Sequence, residues 1–115
     1  MALSDLEKKR VERALSDFMK KRRPPPEIRK QVDFGYQISG QSVELFEIRP
    51  QWDNPEVMLH HPFAKATYVR PRNVWKVFWM MADLKWHAYP PVKEVGQIEQ
   101  FFAIVDEDAN CCFSG

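Results

Sequence analysis

The sequence predicts an α+β domain in which a five-stranded antiparallel meander sheet is flanked by an N-terminal and a C-terminal helix. Apolar residues have helical spacing near each end of the chain, and apolar and polar residues alternate between those ends. Turn residues separate the alternating segments. The chain has 115 residues, which is the length of one ordinary domain, so we expect a single domain over residues 1–115.

Both predicted helices have an apolar stripe that can cover a sheet. Ser4 and Glu7 form a capping-box pattern, and the helix that follows should end at the prolines that begin with Pro24. A second helix is predicted after Pro90 and Pro91. The stripes comprise Val11, Ala14, Leu15 and Phe18 in the first helix, and Ile98, Phe101, Phe102 and Val105 in the second.

Five strands are predicted between the helices, at residues 32–38, 42–49, 63–69, 74–81 and 85–89. The first two form a hairpin around a turn that contains Gly40. Residues 50–62 contain three prolines among other turn residues, so we expect a long loop there. Each strand then follows its neighbour along the chain, which is the order of a meander.

The segment at residues 74–81 is unusual because both of its alternating faces are apolar. Two helices can cover one face of the sheet, so the other face should meet a second subunit, the 50–62 loop or a ligand. We predict a homodimer, since a twofold interface buries the same apolar patch on both subunits. Trp75 and Trp79 are the preferred interface residues. The full set of interface or ligand candidates is Trp75, Trp79, Trp86 and Tyr68.

Basic residues alternate with aromatic ones in this part of the chain, a pattern found in proteins that bind single strands of nucleic acid. Tryptophans at strand spacing are more typical of a core or a subunit interface, so nucleic-acid binding is the alternative interpretation. Such binding should be weak, independent of sequence and sensitive to salt. The candidate cations are Lys65, Arg70, Arg72, Lys76 and Lys85.

A metal-dependent nuclease is a more distant alternative. Asp33 on the first predicted strand, with Glu47 and Arg49 on the second, resembles the acidic pair and cation that hold Mg²⁺ and stabilise a phosphate in such enzymes. Charged residues at so loose a spacing are common in hairpins. We therefore assign no catalytic residue and expect no cleavage of DNA or RNA with Mg²⁺ or Mn²⁺.

No metal site or cofactor is expected from the pattern of potential ligands. Residues 106–111 match the start of a calcium loop, but Cys111 stands where that loop needs glycine. Cys111 and Cys112 are adjacent, so they do not build a disulfide framework. The remaining ligand types lack the paired spacing of zinc sites. They are His60, His61, His87, Cys111 and Cys112.

Composition favours a soluble, cytoplasmic protein. The formal net charge of +1 gives no overall attraction to DNA or to a membrane. The N-terminus lacks the apolar segment of a secretory signal, and the chain has no apolar run long enough to span a bilayer. Adjacent cysteines without a partner elsewhere also fit a reducing compartment.

Four stretches of the chain, residues 22–52, 64–69, 74–89 and 105–115, together resemble one family. The chain is similar to a small bacterial family known only as a domain of unknown function, DUF3024. The resemblance implies no activity, cofactor or catalytic residue, because none is established for that family. From the residues themselves we predict a small non-catalytic binding or interaction module that acts as a homodimer.

Overall fold

The order of helix, sheet and helix is confirmed in a computed structural model, which describes residues 2–22, 25–29 and 31–107. The fold is α+β, with an antiparallel sheet between an N-terminal and a C-terminal helix. A short 3₁₀ turn, Arg70–Arg72, joins the third and fourth strands. The elements are α1 Asp5–Arg22, β1 Asp33–Ser39, β2 Ser42–Gln51, β3 Asn54–Val69, β4 Val74–Met80, β5 Trp86–Ala88, β6 Glu94–Val95 and α2 Ile98–Glu107.

The first five strands form the predicted meander, in the order β1-β2-β3-β4-β5. The structure adds a sixth strand, β6, which the sequence analysis missed. β5 pairs with one end of β4, from Phe78 to Met80, and β6 pairs with the other end at Trp75 and Lys76. Only two residues of β6 are in the ladder, which is too short for any alternation to be visible in the sequence.

The predicted capping box at the start of α1 is present. The amide of Ser4 donates to Glu7 Oε1 at 2.8 Å, and the amide of Glu7 donates to Ser4 Oγ at 3.2 Å. Arg70 also donates to Glu7 Oε2 at 2.8 Å, which ties α1 to the 3₁₀ turn. The hydrogen bond from the Ser4 amide lowers the pKa of Glu7 below its ordinary value. The ionised Glu7 carboxylate therefore stabilises the fold at pH values above its ordinary pKa. This stabilisation is lost as the pH falls through the lowered pKa.

The core lies between the sheet and the two helices. All four predicted stripe residues of each helix are buried, and the rings of Phe18 and Phe102 meet at 5.3 Å between centroids. Two alanines, Ala64 and Ala66, lie at the centre of the covered sheet face, where small side chains allow α2 to approach β3. The fully buried strand residues of this face are Val43, Leu45, Ala64, Ala66 and Val77.

The predicted loop at residues 50–62 is wrong. β2 continues to Gln51 and β3 begins at Asn54, so this stretch forms the end of a long hairpin whose turn is Trp52 and Asp53. Proline is tolerated here because β2 and β3 have no other neighbouring strand beyond Ile48, and outward-facing backbone positions need no ladder partner. Pro62 also lies beside a register shift in the ladder.

A close contact between β1 and β2 leads to a stability prediction. A Cβ atom at Gly35 would lie 2.5 Å from a ring carbon of Phe46, and that ring is stacked on His60. We expect Gly35→Ala to lower the free energy of unfolding by about 1–3 kcal/mol, because the ring must move. Urea denaturation measures this loss.

The matched control for this substitution is Gly96→Ala. The nearest atom to a Cβ at Gly96 is Gln100 Oε1 at 3.6 Å, which is an ordinary contact. Its free energy of unfolding should therefore change by less than about 1 kcal/mol. Equal losses for the two variants would contradict the close packing of Phe46 over Gly35.

Candidate interaction surface

One face of the sheet is covered by the helices, and we call the opposite face the open face. Successive residues of a strand project to opposite sides, so the ladder register assigns each residue to a face. Two rows of aligned residues cross the centre of the open face, and none of their members is buried. They are Gln37, Glu44, Lys65, Phe78 and Ala88, and next to them Ser39, Ser42, Thr67, Lys76 and Glu94.

A lysine and two aromatic rings form a cluster at the middle of the open face. The ammonium of Lys65 lies 5.0 Å from the ring centroid of Phe78 and 5.0 Å from that of Trp86. Each such cation–π contact contributes about 0.5–1 kcal/mol at an exposed site. The cluster therefore holds the Lys65 ammonium above β4, between two rings, in place of free movement in solvent.

A second aromatic contact extends the open face towards the end of the β2–β3 hairpin. Phe46 and His60 stack with their ring centroids 4.6 Å apart and their planes within 10°. Ile48 lies on the same side of β2 as Phe46 and is half-buried. The open face thus carries half-buried aromatic rings at the Lys65 cluster and at the base of the hairpin's outer part, beside the polar residues of its two central rows.

The outer part of the β2–β3 hairpin, residues 49–61, projects beyond the rest of the sheet, and we call it the arm. Pairing with β1 stops at Ile48, and pairing with β4 stops at Ala64. The molecule measures 46 × 29 × 26 Å, which is elongated for its size. Trp52 at the arm's tip is 92% exposed. Further exposed apolar side chains on the arm are Val57, Met58 and Leu59.

The five candidate cations do not form one basic patch. Arg70 is paired with Glu7, and Arg72 donates two hydrogen bonds of 2.7 Å to the carboxylate of Glu94. Lys65 is held in the aromatic cluster, whereas Lys76 is exposed on the open face. Lys85 is exposed in the β4–β5 connection. The open face therefore carries two separate ammonium groups and not a continuous positive surface.

A comparison of the chain with protein families finds a match over residues 3–115, which is nearly its whole length. The chain belongs to the family described as Domain of unknown function (DUF3024). It matches no protein with a curated description and no solved structure. Among the residues that the structure describes, no helix is long and apolar enough to cross a membrane.

The four aromatic candidates of this DUF3024 member lie on different faces. Trp75 is 6% exposed on the covered face, where its ring meets that of Tyr68 at 4.9 Å. The Tyr68 hydroxyl donates to Asn73 Oδ1 at 2.6 Å. Trp79 also lies on the covered face, and its buried indole N–H has no acceptor within the described parts of the chain. Of the four, Trp86 alone is on the open face, so the expectation that Trp75 and Trp79 line an uncovered face is corrected.

The geometry separates the residues of the nuclease hypothesis. Asp33 pairs with Ile48 in the ladder and Glu47 pairs with Phe34, so the two carboxylates project to opposite faces of the sheet. Arg49 donates to Glu47 at 2.8 Å. One Mg²⁺ cannot bridge two carboxylates that lie on opposite sides of a sheet. The sheet therefore does not bring together the two carboxylates that the nuclease alternative requires.

The histidines of this DUF3024 member are likewise dispersed. His60 stacks on Phe46, and His61, the next residue along β3, projects to the other side. His87 lies 2.9 Å from Asp83, and their hydrogen bond is the main cause of a lowered pKa at Asp83. Within residues 2–22, 25–29 and 31–107, no three His, Cys, Asp or Glu residues are placed to hold a metal. Cys111, Cys112 and the calcium-loop pattern fall outside the described residues.

The sequence analysis named residues 50–62 as a loop that could meet the second face of the sheet, but not as an exposed hairpin that projects from it. Residues 57–61 are largely apolar and exposed, and they follow an exposed tryptophan within a few positions. Exposed apolar segments often mark contact sites, but only the structure shows that these residues are exposed. The prolines at both ends of the stretch instead favoured a loop.

Proposed function

We propose that this DUF3024 member is a non-catalytic interaction module that acts as a homodimer through its open face. The observation that supports the proposal is a set of half-buried aromatic rings on the face of the sheet opposite the helices. It runs from the Phe46–His60 stack to the cluster of Lys65, Phe78 and Trp86. The rings of Phe46, Phe78 and Trp86 keep part of their surface in contact with water, and a twofold interface removes that surface on both subunits at once.

The charges on the open face favour a second copy as the partner. Glu44 is the ladder partner of Lys65, and Lys76 is the ladder partner of Glu94, so each row contains both signs. A face with both signs can align acids with lysines when it meets itself around a twofold axis. Each half-buried aromatic ring that becomes covered contributes about 25 cal/mol for every Å² removed from water.

Nucleic-acid binding has less support on the same surface. The aromatic cluster at Lys65 offers rings for stacking, but Glu44 and Glu94 lie on the same face and would repel phosphates. Arg72 is already paired with Glu94, and Arg70 with Glu7. With Lys65 and Lys76 as the cations on this face, about two phosphate contacts remain, which predicts weak binding.

Light scattering on purified protein tests the homodimer. We expect a mass of twice 13.6 kDa for the native chain at micromolar concentration. Phe78→Glu should give folded monomers, because it places a carboxylate in the aromatic cluster at the centre of the proposed interface. Leu6→Glu is the matched control: Leu6 is 80% exposed on α1, so this variant should stay dimeric.

Two results would contradict the proposal. A native chain that remains monomeric at high micromolar concentration rules out the homodimer as its working form. A folded Phe78→Glu protein that dimerises as well as Leu6→Glu places the interface elsewhere. Salt-sensitive retention of single-stranded DNA by a monomeric native chain, lost on Lys65→Ala, would instead favour the nucleic-acid alternative.

A further inference from the structure

We infer that the arm of each protomer lies across the open face of the other, with Trp52 as its main anchor. This inference rests on the proposed homodimer and specifies how it is built. A dimer formed through the open face alone does not explain why the arm is exposed, and this inference gives the arm a role.

The arm lacks the support that the rest of the sheet receives. Beyond Ile48 it consists of two strands with no third strand and no helix against them among the described residues. A two-stranded ribbon is at best marginally stable in water by itself. Trp52, nine-tenths exposed, and the neighbouring apolar residues at 57–59 gain stability only if another surface covers them.

The charge of the arm indicates which surface that is. Its acidic residues, Asp53 and Glu56, are exposed, and its one cation, Arg49, is paired with Glu47. An arm with this charge is repelled by the phosphates of a nucleic acid or an anionic membrane.

On β3, β4 and β5 the charged residues of the two central rows of the open face are Lys65 and Lys76. Glu44 lies on β2, and Glu94 on β6 is paired with Arg72. The arm is therefore complementary in charge to the part of the open face that β3, β4 and β5 form.

The dimensions of the arm agree with this arrangement. The shorter strand of the arm reaches roughly 13 Å from Ile48 to Trp52, at about 3.3 Å per residue. Strands in a sheet lie about 4.8 Å apart, so the arm can cross roughly three strands of a partner. That width spans β3, β4 and β5, which carry Lys65, Phe78 and Trp86. The arm continues directly from the open face at the Phe46–His60 stack, so two copies related by a twofold axis can exchange arms.

An exchange of charges between two variants tests this inference. In the first variant, Asp53→Lys and Glu56→Lys make the arm basic. In the second, Lys65→Glu and Lys76→Glu make the open face acidic. Each variant alone places like charges against each other and should be monomeric. An equimolar mixture pairs each basic surface with an acidic one and should form heterodimers, which native mass spectrometry resolves by mass.

A matched control reverses two charges away from both surfaces. Glu12→Lys with Glu27→Lys changes exposed residues on α1 and in the α1–β1 connection, and this variant should remain a homodimer. Circular dichroism establishes that all three variants are folded. Trp52→Ala provides a second measurement, because removal of so exposed a side chain leaves the monomer intact. Trp52→Ala should raise the Kd of the dimer at least about 30-fold for each Trp52 side chain that the interface buries.

The outcomes separate this inference from the proposed homodimer. If the native chain dimerises and Phe78→Glu abolishes the dimer, but the basic-arm variant and Trp52→Ala dimerise normally, the arm inference is overturned and the open-face dimer stands. If the mixture of the two charge variants stays monomeric while each is folded, the pairing of arm with open face is also rejected. A monomeric native chain rejects both proposals together.

Discussion

Trp75→Ala is expected to destabilise the fold by about 3–5 kcal/mol, the cost of removing a large aromatic side chain from a packed core. Trp75 is 6% exposed on the covered face, and its ring packs against Tyr68. Its position on β4 faces the helices, so the cavity left by alanine lies inside the core. Since a domain of this size has about 5–15 kcal/mol of stability in total, the variant should be close to unfolding.

Trp86→Ala provides the comparison on the opposite face. Trp86 is half-buried, and its contact with Lys65 contributes about 1 kcal/mol. We expect its loss to lower the free energy of unfolding by no more than about 1–2 kcal/mol when the chain is monomeric. Urea denaturation of dilute protein measures both variants. A loss for Trp86→Ala as large as that for Trp75→Ala would mean that the open face is part of the monomer's core.

Phe101→Ala is expected to have an effect of similar size, about 3–5 kcal/mol, and to unfold α2. Phe101 is fully buried, and its ring lies 5.2 Å from that of Phe102. α2 has only ten residues, and helices this short are marginal in water without tertiary packing. The signal of the variant in far-ultraviolet circular dichroism should therefore fall by the contribution of α2 even where the sheet remains folded.

Ile104→Ala on the same helix is the matched control. Ile104 is only partly buried at the edge of the core, so its truncation should lower the free energy of unfolding much less than that of Phe101. The helical signal of this variant should be retained. Loss of α2 in both variants to the same degree would show that the helix depends on its whole length and not on the Phe101 contact.

The helices could be predicted from the sequence because each one meets the sheet along a single stripe. In α2 the apolar residues from Ile98 to Val105 recur at helical spacing, and the same residues are buried. In α1 the capping box of Ser4 and Glu7 marked the start of the helix. These signals depend only on residues that are close together in the chain, so they are visible in the sequence without any distant contact.

The arm and β6 could not be predicted in the same way. The prolines from Pro50 to Pro62 favour a loop when each is considered alone, yet they are compatible with strands that have solvent on one side. Whether a strand has a neighbour on each side is a property of the sheet and not of the segment. The two residues of β6 are strand residues because β4 extends past β5 and offers a free edge.

The candidate surface shows the same division between local pattern and tertiary structure. The sequence by itself determined the α+β class, the two amphipathic helices and a β4 that is apolar on both faces. Trp75 and Phe78 are both aromatic and lie on opposite faces of β4. The apolar pattern of β4 therefore does not indicate which face the helices cover. The tertiary structure decides which face is covered. In the folded sheet, Ala64 and Ala66 lie on one face and leave room for α2, whereas Lys65 lies at the centre of the other face. A helix can pack closely over alanine side chains but not over an ammonium group that would lose its water, so Phe78 and Trp86 remain on the open face.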